Sequence, residues 1–358
     1  MSSLALLRRA LLLWCVVLAL CAGCDRHSTI IRVRTLPSET DQPAVALADE
    51  DLNPRLLRRF AAITRVADVP DSALVNLGRL LYFEPLLSRT GKVSCNSCHP
   101  LDRYGTTESS VSVGVAGRLG RRNAPSVYNA AGHFRQFWDG RAATLADQVV
   151  GPITDPNEMD MQVPQVIADL QAIPGYRTAF ARAFPDQAQP ISMGNLGIAV
   201  AEFERGLTTP GRWDRYLNGD TQAITPAEKA GAKLFANLGC MVCHAGANVG
   251  GTMFERLGAL VPWPEQPDRG RREVTHNAAD DLVFKVPSLR NVARTAPYFH
   301  DGSIASLDTA VRMMARHQLG VDLSEEEARS ITAWLGALTG EIPQAYIAPP
   351  TLPAAVRP

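Results

Sequence analysis

The sequence predicts an all-α, mainly helical protein divided into two domains. Three observations carry this. A Cys-x-x-Cys-His motif occurs twice, as Cys95-Asn96-Ser97-Cys98-His99 and as Cys240-Met241-Val242-Cys243-His244. A glycine followed by apolar residues precedes each copy, in Gly78-Arg79-Leu80-Leu81-Tyr82-Phe83 and in Gly231-Ala232-Lys233-Leu234-Phe235, which makes a weak internal repeat. Strand signals are scarce throughout.

The spacing of the motif has a chemical reason. Two thiols three positions apart can each form a thioether to one porphyrin vinyl group, and the histidine that follows lies under the iron and supplies an axial nitrogen. The alternatives are a zinc knuckle and a redox dithiol. Zinc sites usually pair two such dithiols at closer range, with a fourth ligand per metal. A redox dithiol does not need the histidine, which follows both times. Each motif is therefore read as the attachment site of a c-type haem. Cys95, Cys98 and His99 hold the first, Cys240, Cys243 and His244 the second, and each domain is cytochrome-c-like.

The 358 residues are enough for two domains after a leader. Formal net charge is zero, so no bulk field points to nucleic acid. Of the seven cysteines, four belong to the two motifs, and Cys15, Cys21 and Cys24 lie near the N-terminus, leaving no disulfide framework. Residues 1–24 read as a signal peptide. Arg8-Arg9 is its charged region, and Ala10 to Leu20 is an apolar core too short to span a bilayer. Leu20-Cys21-Ala22-Gly23-Cys24 resembles a bacterial lipobox that would lipidate Cys24, although Cys21 stands where Leu is usual. An ordinary cleavable signal is the alternative. Either leader delivers the chain to the periplasm, and Asp25 after a lipidated Cys24 suggests anchoring to the inner membrane.

Residues 25–50 are polar and proline-containing and read as a tether. The first haem domain is expected over 51–209, with a helix ending near Leu81-Tyr82-Phe83 and a closing helix whose Leu196, Val200, Phe203 and Leu207 share one face. Pro210-Gly211 marks the boundary. The second domain, 210–341, closes on a helix that Ser324-Glu325-Glu326-Glu327 begins as a capping box. Its apolar stripe is Ile331, Trp334, Leu335 and Leu338, and Gly340 is expected to end it. Residues 342–358 are read as an irregular C-terminal tail.

Further stretches carry a family resemblance. They are Arg122-Asn123-Ala124-Pro125-Ser126, Gln136-Phe137-Trp138-Asp139-Gly140-Arg141, Gly151-Pro152, Glu158-Met159, Leu289-Arg290-Asn291-Val292 and Thr295-Ala296-Pro297-Tyr298-Phe299-His300-Asp301-Gly302. Together they resemble the bacterial dihaem cytochrome c peroxidases, whose superfamily includes the MauG-type dihaem enzymes. The resemblance runs from about residue 70 to 341. It implies hydrogen peroxide reduction at the N-terminal, peroxidatic haem and electron entry through the C-terminal haem. The electrons would come from a small periplasmic cytochrome c or cupredoxin. Homodimerisation is also implied.

The resemblance implies roles residue by residue. Glu158 moves a proton from the inner to the outer peroxide oxygen. Read alone, it is a loop carboxylate, but its turn, Asp155-Pro156-Asn157-Glu158-Met159, lies beside apolar residues that can raise its pKa. Gln148 is the second polar residue beside the reacting peroxide. Trp138 lies between the haems and helps electrons cross. The second iron needs two strong ligands, and Met313 and Met314 are adjacent candidates opposite His244. Counted from Thr295-Ala296-Pro297, the family ligand falls on Met314, where MauG-type members have Tyr. A calcium ion is implied, held by the Asn123 side chain and the carbonyls of Thr295 and Pro297. His27, His276, His300 and His317 receive no catalytic role, and His300 is expected near the second haem.

One departure matters. Many members carry a Ser-x-Gly-His loop whose histidine caps the peroxidatic iron at rest. Here the loop reads Ser112-Val113-Gly114-Val115, and valine cannot ligate iron. The cap is absent unless another side chain, such as His133, replaces it. Three functions compete: a peroxidase; a MauG-like oxidase that modifies a protein substrate, which Val115 favours and Met314 opposes; and a non-catalytic dihaem electron carrier, which Glu158 opposes.

Overall fold

Two helix crossings organise the fold, and each is made at one of the repeated glycines. The computed structural model of the protein describes residues 51–64 and 72–354. The expected leader with Cys24, and the tether, lie outside the described residues. Eight helices of ten or more residues occur among those described: α1 (Ala73–Phe83), α2 (Leu145–Thr154), α3 (Val163–Ala172), α4 (Pro174–Ala183), α5 (Met193–Arg205), α6 (Pro226–Asn237), α7 (Leu307–Leu319) and α8 (Glu325–Ala337). The fold is mostly helical, as the sequence predicts. Among the described residues one two-stranded sheet pairs β1 (Phe254–Arg256) antiparallel with β2 (Val283–Lys285), with Phe254 opposite Lys285. No helix among the described residues is long and apolar enough to cross a membrane.

Side-chain caps start these helices where the sequence places polar residues. Ser72 accepts from the Val75 N–H to begin α1. Thr225 with Glu228 and Ser324 with Glu327 form reciprocal capping boxes at α6 and α8, each satisfying donors that the first turn leaves orphaned. α1 crosses α5 where Gly78 meets the Ala199 carbonyl and Phe203 Cβ; α6 crosses α8 where Gly231 meets the Ser330 carbonyl and Trp334 Cβ. A side chain at either glycine would overlap the neighbouring backbone, so both crossings depend on the missing Cβ.

Each crossing seeds a hydrophobic core. Leu81, Tyr82, Leu196, Val200, Phe203 and Leu207 are buried in the first, and Phe235, Ile331, Trp334, Leu335 and Leu338 in the second. Both predicted stripes thus face inward. Two segments pack on the far side of the expected boundary at Pro210-Gly211. Leu52 and Phe60 join the second core, where the Phe60 ring stands edge-on to Trp213 and Trp334 at 5.5 and 5.9 Å. Ile347 joins the first core, and Tyr346 stacks on Phe203 at 5.1 Å and donates its hydroxyl to the Phe203 carbonyl. Residues 342–354 are irregular but held down. Asp214 locks the crossing strands. It receives the Arg290 guanidinium at 2.8 Å and the N–H groups of Ile63 and Gly211. A buried charge pair of this kind is tolerable because its remaining sites are hydrogen-bonded.

Gly340 does something other than end α8. The helix stops at Ala337, and Gly340 pairs with Gly211 and donates to Asn291 Oδ1 at 3.0 Å. Its missing Cβ makes room for the Thr209 carbonyl. Close approach between the two ends of the second core, not helix capping, requires this glycine.

Candidate active site

The first motif sits on a helical turn, Cys95–Cys98, which brings its two thiols to one face. The chain after His99 turns back through Gly105, at φ 68°, and His99 Nδ1 donates to the Gly105 carbonyl at 3.1 Å. Tyr82 donates its hydroxyl to the His99 carbonyl at 2.8 Å, tying the motif to α1. The second motif repeats the device, with His244 Nδ1 donating to the Val249 carbonyl at 3.2 Å. Burial holds both imidazoles below their ordinary pKa, His244 at about 4, against the opposing pull of these carbonyls. A neutral imidazole whose Nδ1 is engaged presents Nε2 as a ligand.

Burial pushes the Cys95 thiol to about 12 and the Cys240 thiol to about 11, the opposite of the depression that a redox dithiol needs. None of the four motif cysteines is in a disulfide, and no three His, Cys, Asp or Glu side chains among the described residues cluster as a metal-ion site requires. Unpaired thiols at the correct spacing beside a prepared imidazole fit a covalently attached haem better than either alternative.

The second motif opens onto a cavity of about 510 Å³, lined mostly by apolar side chains from β2, α7 and α8. This is the size and character of a cofactor pocket. Cys240, Cys243 and His244 line it, and so does Met314; Met313 does not, although it is adjacent on α7. Trp138 lines the same cavity. Its indole N–H donates to the Asn123 carbonyl at 2.9 Å, and its ring stands edge-on to His300 at 6.3 Å. Two residues on, Pro125 lines the cavity too and its carbonyl acts on His99, so the 123–125 strand runs from Trp138 to the first motif. Asn123, Thr295 and Pro297 share this cavity wall. The Asn123 amide N–H donates to the Ser110 carbonyl at 3.1 Å, and its Oδ1 accepts no hydrogen bond from a described residue. That leaves one hard oxygen of the kind a calcium ion takes.

Glu158 is half-buried in a turn closed by two hydrogen bonds to the Asp155 carbonyl, from its own N–H and from that of Asp160, with Met159 anchored in the core. Burial raises its carboxyl above the ordinary range, and Asp155 adds to this; Arg141 opposes it. Burial also raises the Cys98 thiol, a hydrogen bond with Ser112 opposes this, and the Glu158 charge adds to the rise, which puts the carboxyl within electrostatic reach of the first motif. Gln148 is half-buried on α2, and its side chain makes no hydrogen bond to a described residue.

The loop with Val115 is clasped to the Glu158 turn. The Val115 N–H donates to the Glu158 carbonyl at 2.8 Å, and the Val115 side chain is buried. Gly114 lies directly on the Asn157 and Glu158 backbone. Arg118 donates to the Pro156 carbonyl at 2.6 Å and pairs with Asp160 at 3.0 Å, and Arg89 reaches the same carboxylate. Sequence reasoning missed Arg118 and Asp160, because their partners are distant in the chain. Asp139 and Arg141 enter it only as parts of one motif; Asp139 is the buried acceptor for Arg122 and Arg141 and holds the Trp138 segment. His300 is buried against Phe284 and Gln266 in the cavity wall, near the second motif as expected. His317 packs on Trp263.

Comparison with known proteins follows the same lines. Residues 72–222 match the family model of di-haem cytochrome c peroxidase. The chain is 41% identical over 280 residues to a cytochrome c551 peroxidase of Nitrosomonas europaea, covering 77% of this chain and 83% of that protein. It is 32% identical to the methylamine utilization protein MauG of Methylophilus methylotrophus, covering 74% and 82%. Among solved structures it resembles a MauG-like protein associated with microbial copper homeostasis, with a TM-score of 0.70 at 30% identity, over 81% of this chain and 96% of that one.

Proposed function

The chain belongs to the di-haem cytochrome c peroxidase family, and from that premise we propose how its two halves divide the reduction of hydrogen peroxide. The protein is a dihaem peroxidase, an oxidoreductase that takes electrons from a cytochrome. We assign one covalent haem to Cys95, Cys98 and His99 in a domain over 51–209, and one to Cys240, Cys243, His244 and Met314 in a domain over 210–341. When bound, the first haem supplies the iron at which the peroxide O–O bond is cleaved, and the second supplies a store for one electron. The balance is hydrogen peroxide plus two protons and two electrons to two waters.

The chain's own work is done mainly by Glu158. As a carboxylate it takes the proton from the inner peroxide oxygen and delivers it to the outer one, so that water leaves. Its raised pKa supports this, since a shuttle works best when its pKa approaches the operating pH. Arg141 keeps the carboxylate form available. Gln148 holds the outer oxygen, and Trp138 carries electrons along the cavity wall between the motifs. Asn123, Thr295 and Pro297 hold a calcium ion there. The donor is a small periplasmic cytochrome c or cupredoxin. We place the protein in the periplasm, anchored at the inner membrane through a lipidated Cys24, as a homodimer.

The observation that carries this reading is a half-buried carboxyl, on a turn clasped by the Val115 loop, whose pKa burial raises and whose charge reaches Cys98. Glu158→Gln tests it. Peroxide consumption with a reduced cytochrome c should fall by ~10²–10⁴ while both haem spectra persist. Unchanged turnover overturns the assignment. One observation favours the MauG-like oxidase as a second reading: Val115 stands where the iron-capping histidine is expected. Met314 opposes it.

A further inference from the structure

The cavity of the second motif holds two nitrogen atoms without a partner among the described residues, Lys285 Nζ and His133 Nε2. Lys285, at the end of β2, is 6% exposed and lines the cavity, yet its ammonium makes no hydrogen bond or ion pair with any described residue. His133 lines the same cavity, and its Nε2 is buried with no partner. The two face each other closely enough for the lysine charge to disfavour protonation of the imidazole.

Their position is set by backbone. The Lys285 N–H donates to the Trp138 carbonyl at 2.7 Å, and the next residue, Val286, accepts the Gly251 N–H at 2.9 Å. A Cβ on Gly251 would meet the His133 ring at 2.5 Å, and one on Gly250 would meet His244 Nδ1 at 3.1 Å. The Gly250-Gly251 step therefore runs between His244 on one side and His133 on the other. Lys285 and His133 lie together, beside the iron-binding histidine of the second motif.

Burying a cation next to an imidazole, with no acceptor for the Lys285 ammonium and none for His133 Nε2, is costly in a low-dielectric site. Burial alone holds Lys285 down at about 8, and burial with Lys285 holds His133 at about 3 against the opposing pull of a hydrogen bond with the Gln136 side chain. Such an arrangement is stable when an anion completes it. A haem brings two carboxylates of its own, its propionates.

We propose that Lys285 and His133 form the propionate clamp of the second haem, with Lys285 as the counter-ion and His133 as a neutral hydrogen-bond donor. The clamp rests on the two-haem reading. It orients the porphyrin independently of the thioethers and neutralises a charge that would otherwise sit in the wall next to Trp138.

The test is redox-difference infrared spectroscopy of the holoprotein carrying haem with isotope-labelled propionate carboxyl carbons. In Lys285→Met, the label-sensitive carboxylate bands are expected to move or to give way to the carbonyl band of a protonated acid. Lys285→Arg should restore the wild-type pattern. A purely structural lysine would leave these bands where they are, and identical label-sensitive bands in wild type and Lys285→Met overturn the clamp. Should Lys285→Met not accumulate, Lys285→Gln makes the same comparison with less change in shape. Haem content of the same samples keeps the two readings apart. One haem per wild-type chain overturns the two-haem reading, and two haems with unchanged bands overturn only the clamp.

Discussion

Gly114→Ala is a test of whether the Val115 loop positions Glu158. The added methyl would lie 2.1 Å from the Asn157 carbonyl oxygen, 2.5 Å from the Glu158 carbonyl oxygen and 2.7 Å from the Glu158 Cα. All three are backbone atoms and cannot rotate away. Gly114 has φ −92°, which alanine adopts freely, so the effect is steric and not conformational. To restore an ordinary contact of ~3.5 Å from the nearest of these atoms, the loop and the turn must part by about 1.4 Å. That breaks the Val115 N–H to Glu158 carbonyl bond, for about 1 kcal/mol of stability. A misplacement of ~1 Å in a catalytic group can lower turnover by ~10²-fold. The variant should therefore keep both haem spectra, lose about 1 kcal/mol in denaturant unfolding, and lose ~10-fold to ~10²-fold in kcat for peroxide, well beyond what the stability change implies. Wild-type kcat in a haem-replete Gly114→Ala protein would refute the reasoning.

Other outcomes follow from the same site. The acid limb of the pH–rate profile should lie above the ordinary carboxylate range, because Glu158 must be ionised to accept a proton and burial raises its pKa. Arg141→Gln removes the cation that opposes this rise, so the limb should move to higher pH; an unmoved limb would separate Glu158 from the titration. Met314→Leu should change the spin state of the second haem, read by electron paramagnetic resonance, and Met313→Leu should not; the reverse result would shift the ligand by one residue. In the fully oxidised protein the same spectrum should show one high-spin and one low-spin haem, because Val115 offers no ligand atom, and peroxide should react without prior reduction. Val115→His should convert the first haem to low spin and introduce a lag before turnover. Two low-spin irons in the oxidised wild type would defeat the open-site expectation.

The parts legible in the sequence are those whose cause is local. Cys95-x-x-Cys98-His99 and its copy need only their own spacing. The Ser324–Glu327 box is read from four adjacent residues, and the stripe of Ile331, Trp334 and Leu335 from one helical period. What stayed hidden depends on distant partners. Arg118 and Asp160 are surface charges until the fold brings them to 3.0 Å. Lys285 carries no signal in its local sequence, and its burial becomes visible only when β2 forms and its N–H meets the Trp138 carbonyl. Gly340 was read as a helix terminator because glycine after an apolar stripe usually is one. The neighbour that demands it, the Thr209 carbonyl, is more than a hundred residues away.

The exchange of flanking segments bears on the order in which the protein can be completed. Synthesis proceeds from the N-terminus, and domains generally fold as they emerge. Here the core around the first motif still lacks Tyr346 and Ile347 when residue 209 has been made, and Leu52 and Phe60 have no place to go until Trp213 and Trp334 exist. The Tyr346–Phe203 stack alone is worth ~0.5–1.5 kcal/mol beyond its buried area. Both halves therefore reach their final packing only after residue 347 has left the ribosome. Until then neither core has shut around the four thiols of the two motifs.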